Sequence, residues 1–237
     1  MSDCKISHDC TNCITRKSTE WRNLDTKELT VLDRAKKSRA FEPGEIVFNQ
    51  GDQSKGVHCI QSGLIGLRRV DEDGKSILIR LCSGGTTVGY NSFLVKTQQF
   101  NSAEALTPSI VCFIPGATVS SLIADNPNIG ERFLQHSIAD LTETENDYIR
   151  NLTKNVRYKF LHVLLTFYER VGYQDANGLS TLELPILRRE LAELMGVQPE
   201  SVSRVIRELK DEGLVKIELK QVFFTDMDTI LNEISAF

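Results

Sequence analysis

The chain contains six cysteines, residues with a broad metal and redox chemistry: Cys4, Cys10, Cys13, Cys59, Cys82 and Cys112. The first three lie within ten polar residues, where packing into a core does not easily explain them. Thiolates there can bind a metal ion or an iron–sulfur cluster, or form a redox switch. The other three lie in apolar runs. Cys59 and Cys82 are predicted to be core residues, and Cys112 to be a core residue or a ligand.

A second candidate site lies in residues 196–204, GVQPESVSR. Glu200, Ser203 and Arg204 are spaced to share one face of a helix, with Arg207 one turn further on. Arginine pairs bidentately with guanine, glutamate accepts from cytosine, and serine bonds to either kind of base. The pattern predicts a helix whose N-terminal half reads base edges in the major groove of DNA.

The residues around this stretch have the spacing of a helix-turn-helix over 187–209. Ala192 is small where two helices cross, Gly196 supplies the unusual turn conformation, and Val202 packs back on the first helix. Pro199 suits the first turn of the second helix. The other inward positions are predicted to be Leu191, Met195 and Val197. The following segment, LVKIELKQVFFTD, alternates as expected for a two-stranded hairpin, which would form a wing.

Composition restricts the class of protein. A hydrophobic content of 41%, a charged content of 25% and a net charge of −4 are typical of a globular protein without a global attraction to nucleic acid or membrane. The sequence has no apolar run of membrane-spanning length and no secretory signal, so we expect a cytoplasmic protein. It has no phosphate loop, H-E-x-x-H motif or nucleophile elbow, so we expect no enzyme activity.

Residues 38–125 have the pattern of a β-sandwich or barrel. Nine of the fifteen glycines fall between Gly44 and Gly89, and short apolar runs lie between them. The sequence DEDGKS between two such runs predicts a hairpin turn. Residues 21–36 are predicted to form a short amphipathic helix.

Residues 126–170 are predicted to be helical, with one apolar stripe interrupted by Glu145. The stripe consists of Leu134, Ile138, Leu141, Tyr148 and Leu152. Packing on its own domain is the alternative, and we favour a dimer interface. The polar stretch 172–178, GYQDANG, is predicted to be a linker.

The order of these pieces resembles the Crp/Fnr family of bacterial transcription regulators, over about residues 20–230. The motifs FEPGEIVFNQGD and IQSGLIGLRRVDEDGK and the helix-turn-helix carry the resemblance. It implies an α+β fold with a cysteine-containing segment (1–20), a cyclic-nucleotide-binding-like β-roll or jelly roll (21–125), a long dimerisation helix and hinge (126–170) and a winged helix-turn-helix (171–237). It also implies a homodimer that binds palindromic double-stranded promoter DNA and recruits RNA polymerase.

Two motifs of the family bear on its ligands. In the Fnr branch the recognition helix reads E-x-x-S-R, as Glu200, Ser203 and Arg204 do here, which implies a TTGAT-N4-ATCAA-like site with Arg204 on the guanine. Cyclic-AMP binders of the family hold the ribose with a glutamate and the phosphate with an arginine. Tyr90 and Asn101 replace them here, so we expect no cyclic nucleotide.

The segment AEALTPSIVCFIP resembles the Fnr segment whose cysteine is the internal ligand of an oxygen-sensing [4Fe–4S] cluster, which implies this role for Cys112. Cys10-x-x-Cys13 resembles the first two Fnr ligands, but the third is Thr19 here. Cys4, five intervening residues before Cys10, is predicted to replace it. The resemblance therefore implies that the cluster's metal ligands are Cys4, Cys10, Cys13 and Cys112.

Several alternatives remain open for the signal. The same thiolates, with His8, can hold zinc. A thiol–disulfide switch, or a small organic ligand or haem in the β-domain, is also compatible with the sequence. With a cluster, oxygen or nitric oxide is the expected signal, and loss of the cluster would lower DNA affinity by a population shift. Thr144 stands where Fnr carries a charge that opposes dimerisation, so we expect the dimer to persist.

Overall fold

A computed structural model describes residues 9–235 of the chain, which divides into two compact units on either side of the boundary between Thr142 and Glu143. The first unit begins with two short 3₁₀ helices, Cys10–Asn12 and Thr15–Ser18, followed by α1 (Thr26–Ala35). Helix α1 starts at a capping box, because Asp25 accepts from the N–H groups of Lys27 and Glu28 while the Glu28 carboxylate accepts from the Asp25 N–H. The predicted helix therefore begins five residues later than the apolar pattern indicates.

Two antiparallel four-stranded sheets form most of the first unit, with strand orders β1-β8-β3-β6 and β2-β7-β4-β5. The strands are β1 (Lys37–Phe41), β2 (Ile46–Phe48), β3 (Gly56–Ser62), β4 (Leu64–Val70), β5 (Ser76–Ser83), β6 (Thr87–Val88), β7 (Ser102–Ala105) and β8 (Ser109–Pro115). The predicted hairpin turn at DEDGKS joins β4 to β5, and Gly74 has the positive φ of 79° that such a turn needs. The predicted β-roll is confirmed.

Two apolar cores stabilise this unit. One is built from both sheets and includes Phe41, Ile65, Val111 and the buried Cys82, so the prediction that Cys82 is a core residue is confirmed. The other lies against β3 and β8 and takes in α1, α3 (Gly116–Asp125) and the start of α4. The short helix α2 (Tyr90–Leu94) also contributes to this second core.

The helical region predicted for 126–170 consists of two helices. Helix α4 (Asn128–Thr153) has 26 residues and a length of about 39 Å. Helix α5 (Val156–Val171) begins at Asn155, whose side chain accepts from the Tyr158 N–H and caps the helix. None of the helices in the described part of the chain is long and apolar enough to cross a membrane.

The second unit contains α5 and a small α+β module. Its further elements are β9 (Tyr173–Gln174), β10 (Ser180–Glu183), α6 (Arg188–Leu194), α7 (Pro199–Asp211), β11 (Val215–Glu218), β12 (Gln221–Phe224) and α8 (Met227–Ser235). The sheet order is β11-β12-β10-β9, so the predicted wing hairpin is part of a four-stranded sheet. The prediction of a linker over 172–178 was wrong. This stretch forms the β9–β10 hairpin, because the Asp175 carboxylate accepts from the N–H groups of Asn177 and Leu179.

Candidate functional site

The predicted helix-turn-helix is formed by α6 and α7. Gly196 has φ 61° in the turn, and the following Val197 N–H donates to the Ala192 carbonyl at 3.0 Å, which closes the first helix. Ala192 and Val202 are buried, as their spacing predicts. Of the other inward positions, Leu191 and Met195 are buried and Val197 is half-buried.

The side chains predicted to read DNA lie on the opposite face of α7. Ser203, Arg204, Glu200 and Arg207 are all exposed. Within residues 9–235, no ion pair involves Glu200 or either arginine, so their charged groups are available to a ligand. Pro199 occupies the first turn of α7, so Glu200, Ser203 and Arg204 lie in the N-terminal half of the helix, the half that enters the major groove in helix-turn-helix proteins, and Arg207 lies one turn further along.

A wing follows the recognition helix. The ammonium of Lys210 at the end of α7 donates to the Ile217 carbonyl of β11 at 2.8 Å, which ties the wing to the helix. The tip of the β11–β12 hairpin carries Leu219, which has φ 53° and is 96% exposed. Sequence reasoning missed this residue, since the position would be expected to hold glycine or asparagine.

An exposed apolar stripe runs along α4. The five residues predicted for the dimer interface are 56–67% exposed: Leu134, Ile138, Leu141, Tyr148 and Leu152. Ile149 is exposed too and was not predicted. Such a row of large apolar side chains on a single long helix is typical of a helix that packs on a partner.

Three of the four predicted metal ligands line one small cavity in the first unit. The cavity has a volume of about 40 Å³, and Cys10, Cys13 and Cys112 line it together with Cys59 and Trp21. The fourth predicted ligand, Cys4, lies outside the described residues. Cys10 is also buried in the second core. Packing therefore explains this cysteine in part, although its polar neighbours in the sequence did not indicate burial. The cavity defined by these five residues is called the cysteine cavity below.

Burial favours the protonated form of three thiols of the cysteine cavity, those of Cys10, Cys59 and Cys112. Burial raises the pKa of Cys10 to about 11, although the Lys36 ammonium opposes this shift. Burial likewise raises the pKa of Cys112 and that of Cys59. Within residues 9–235, no cysteine is in a disulfide. A metal ion would have to displace these protons on binding.

The donor set of the cysteine cavity suits a thiophilic metal centre. Its lining includes four cysteines and, among the described residues, no carboxylate or imidazole. Soft thiolate sulfur selects zinc and iron–sulfur clusters. In the part of the chain that the structure describes, no three His, Cys, Asp or Glu side chains are close enough together to hold an ion. Thiol donors are therefore the right type for zinc or an iron–sulfur cluster. The sulfur atoms must nevertheless move closer together to form a closed ligand shell.

A buried polar network lies beside the cysteine cavity and was missed in the sequence. The Glu20 carboxylate is buried and hydrogen-bonded to His136 Nδ1 of α4, and His136 Nε2 lies 3.5 Å from the Asp140 carboxylate. Asp140 also accepts from the Tyr90 hydroxyl at 2.8 Å and pairs with Arg80 at 2.6 Å. Glu20, His136 and Asp140 have no shared local pattern, so only the fold brings them together.

The position that holds a cyclic nucleotide in the resembling family is occupied differently here. Tyr90, in place of the ribose-binding glutamate, is buried, and its ring stacks on His136 with centroids 4.8 Å apart. Asn101, in place of the phosphate-binding arginine, has a buried side-chain oxygen without a hydrogen-bond partner in the described residues. Neither side chain can supply the charge interaction that a cyclic phosphate needs.

Comparison with known proteins agrees with this architecture. Residues 38–126 match the cyclic nucleotide-binding domain, and residues 159–232 match the Crp-like helix-turn-helix domain. A probable transcriptional activator of Rhizobium leguminosarum bv. viciae is 30% identical over 236 residues, covering 96% of this chain and 93% of the relative. The transcriptional activator protein FnrL of Cereibacter sphaeroides is 26% identical over 232 residues, covering 96% and 92%. A solved Crp/Fnr-family transcriptional regulator of Thermus thermophilus has a TM-score of 0.71 at 22% identity, covering 84% of this chain and 98% of that one.

Proposed function

The chain belongs to the Crp/Fnr family of DNA-binding transcriptional regulators, and from this premise we propose that it is a cytoplasmic homodimeric activator whose DNA affinity responds to oxygen or nitric oxide through a cluster at the cysteine cavity. The observation that carries the proposal is the lining of one cavity by Cys10, Cys13 and Cys112. Because the family consists of transcription factors, the chain is not an enzyme.

The exposed face of α7 supports sequence-specific binding to double-stranded promoter DNA. Arg204 is proposed to pair with the guanine of a TTGAT-N4-ATCAA-like palindrome, with Glu200 and Ser203 on neighbouring base pairs and Arg207 one turn further along. The overall charge of −4 gives little general attraction to phosphate, so most of the discrimination is assigned to this helix. RNA polymerase is the proposed protein partner of the DNA-bound form.

The apolar stripe of α4 supports a homodimer. A palindromic site needs two recognition helices about 34 Å apart, and two copies of α4 packed along their stripes would provide a two-fold axis. The stripe contains no charged residue at any of its five predicted positions, and Thr144 is neutral. The dimer is therefore proposed to persist whether or not the cluster is present.

The cluster would be held by thiolates from Cys10, Cys13 and Cys112 together with a fourth ligand, for which the sequence predicted Cys4. When bound, a [4Fe–4S] cluster supplies the reactivity toward oxygen or nitric oxide. The chain's own residues would couple the state of the cluster to the rest of the protein. Lys36, whose Nζ lies 3.2 Å from Cys10 Sγ, offsets negative charge that develops on that sulfur.

The buried polar network beside the cysteine cavity connects the segment that carries the cysteines to helix α4. The segment that carries Cys10 and Cys13 continues into Glu20 and Trp21, and Trp21 packs edge-to-face on Phe133 of α4 at 5.7 Å. Glu20 is bonded to His136 of the same helix. A shift of this segment on binding or loss of the cluster would therefore act directly on the N-terminal half of the proposed dimer helix.

One experiment tests both parts of the proposal. The full chain is purified without oxygen, its iron, sulfide and zinc are measured, and its binding to a labelled TTGAT-N4-ATCAA duplex is followed before and after exposure to air. We expect iron and sulfide in equal amounts, a broad visible absorbance that bleaches in air, and weaker DNA binding afterwards. DNA binding that is identical in both states would contradict oxygen sensing, and a scrambled duplex controls for specificity.

The size of the cavity favours a second candidate, in which the same thiols hold a single zinc ion. A volume of about 40 Å³ has room for an ion more readily than for a cluster, and four thiolates form an ordinary structural zinc site. In that case zinc would be found at one per chain without visible absorbance, and air would leave the metal content unchanged. A chain without any metal would point to a thiol switch or a small organic ligand.

A further inference from the structure

We propose that Cys59 is the fourth thiolate of the cysteine cavity, so that Cys10, Cys13, Cys59 and Cys112 close into a Cys4 ligand set when a metal binds. In the part of the chain that the structure describes, the four cysteines line one cavity, but no three of them are yet close enough together to hold an ion. This inference rests on the proposed function, because it names the ligands of the same site. It replaces the prediction that Cys4 supplies the missing ligand. The apolar run GVHCI by itself predicts only a core position for Cys59.

The strand register brings Cys59 and Cys112 together. Cys59 on β3 lies directly opposite Cys112 on β8 in the antiparallel sheet. The side chains of such a pair point to the same face of the sheet, with Cβ atoms about 4.5–5.5 Å apart. Any group bound by Cys112 on this face is therefore within reach of Cys59, and both residues line the cysteine cavity.

The position of the missing third ligand lies in the same cavity. Thr19, which stands where the Fnr pattern has a cysteine, lines the cysteine cavity and is buried. Its hydroxyl donates to the Arg16 carbonyl at 2.7 Å, so the side chain is used in holding the segment. A thiol from β3 therefore reaches the same space as the position where the Fnr pattern has its third cysteine.

Each of the four sulfurs has its own polar neighbour, as ligating thiolates do. Trp21 Nε1 lies 3.0 Å from the sulfur of Cys59, and because an indole N–H only donates, this sulfur is the acceptor. The corresponding distances are 3.2 Å for Cys10 and Lys36, 3.3 Å for Cys13 and Thr15, and 3.3 Å for Cys112 and Ser38. Hydrogen bonds to the sulfurs stabilise ligating thiolates and tune iron–sulfur centres.

Cys82 provides a matched control within the same domain. It is a buried strand cysteine like Cys59, but it lies in the core built from both sheets and does not line the cysteine cavity. Replacement of Cys82 therefore tests the loss of a buried thiol without loss of a proposed ligand. Replacement of Cys4 tests the ligand that the sequence alone predicted.

The experiment compares the full-length wild type with Cys59→Ala, Cys59→Ser, Cys4→Ala and Cys82→Ala after anaerobic reconstitution with iron and sulfide, and separately after titration with zinc and cobalt. Iron and sulfide per chain, zinc affinity and the cobalt–thiolate absorbance are measured. Circular dichroism shows which variants fold, and the serine variant keeps the shape of the side chain if the alanine variant unfolds.

We expect the Cys4 and Cys82 variants to hold as much metal as the wild type, whereas the Cys59 variants lose the cluster or bind zinc at least about tenfold more weakly with reduced cobalt–thiolate absorbance. A folded Cys59 variant with the wild-type metal content and affinity would overturn this inference and leave the proposed function standing, and loss of metal in the Cys4 variant would then assign the fourth ligand to Cys4. A wild-type chain that binds neither iron nor zinc would overturn the proposed function itself, and this inference with it.

Discussion

The imidazole of His136 on α4 is hydrogen-bonded to the buried carboxylate of Glu20, in the segment that follows the cysteines. This bond joins the segment that carries Cys10 and Cys13 to the helix that carries the apolar stripe. Burial by itself lowers the pKa of His136, but the hydrogen bond and charge of Glu20, with the charge of Asp140, outweigh burial and raise the pKa above its ordinary value. The folded state therefore favours the charged form of the histidine.

The first prediction follows from that shift. Because the pKa of His136 is higher in the folded state, its contribution to stability is fully present below the unfolded value of about 6.5 and is lost as pH rises through the folded value. We expect His136→Gln to destabilise the first unit more at about pH 6 than at about pH 8 or above. Urea unfolding followed by the fluorescence of Trp21, the single tryptophan, measures the difference. Gln135→Ala, a neutral neighbour, should show the same loss at both pH values.

The second prediction concerns base reading. Arg204→Ala should weaken binding to the palindrome by about 1–3 kcal/mol per half-site and relax discrimination at the paired guanine. Fluorescence anisotropy against duplexes substituted at that base pair measures both effects. Lys220→Ala, an exposed wing lysine, is the control, and it should weaken all sequences alike and lower the salt dependence. Equal losses on every duplex for Arg204→Ala would exclude a base contact.

The third prediction concerns the dimer. Leu141 is 59% exposed, so Leu141→Asp leaves the fold of its own unit intact and places a charge in the proposed interface. We expect a folded monomer by sedimentation and loss of binding to the full palindrome. Val95→Asp changes an apolar residue that is 64% exposed but lies outside α4, and it should remain dimeric. A Leu141→Asp variant that remains dimeric would show that the dimer interface does not include this part of α4.

The recognition helix could be predicted from the sequence because its signals are local. Small, turn and apolar residues at Ala192, Gly196 and Val202 determine the buried face, and the exposed face follows from the helical repeat. The β4–β5 turn was predictable for the same reason. The place where α4 ends was not predicted, although Asn155 is an ordinary N-cap signal.

The cysteine cavity could be predicted only in part, because it depends on contacts distant in sequence. Cys59 faces Cys112 through the register of β3 and β8, and no local pattern contains that register. Glu20 lies in a polar stretch that gives no sign of burial, yet Thr87 and His136 satisfy its carboxylate. Polar residues buried as a network are visible only when the whole fold is known.

The fourth prediction concerns the wing tip. Leu219 has a positive φ that is unfavourable for a side chain with a Cβ, and at 96% exposure it has little packing to lose. We expect Leu219→Gly to raise the free energy of unfolding by about 1 kcal/mol. Thermal unfolding followed by circular dichroism measures this change in stability. The control is Lys220→Gly, at a neighbouring position without positive φ, which we expect to be neutral or destabilising. A less stable Leu219→Gly variant would show that the leucine makes a stabilising contact.

The last prediction isolates the hydrogen bond on Cys59. Trp21→Phe keeps an aromatic ring against Phe133 but removes the N–H that lies 3.0 Å from the Cys59 sulfur. If that sulfur ligates the metal, the loss of an outer-shell donor should weaken metal binding by about 10–100-fold while Cys59 itself remains. Competition with a chromophoric zinc chelator measures the affinity. Ser109→Ala, which removes a buried hydroxyl of β8 outside the cavity lining, controls for general effects on the domain. Unchanged affinity in Trp21→Phe beside a large loss in Cys59→Ser would mean that Cys59 acts without its indole partner.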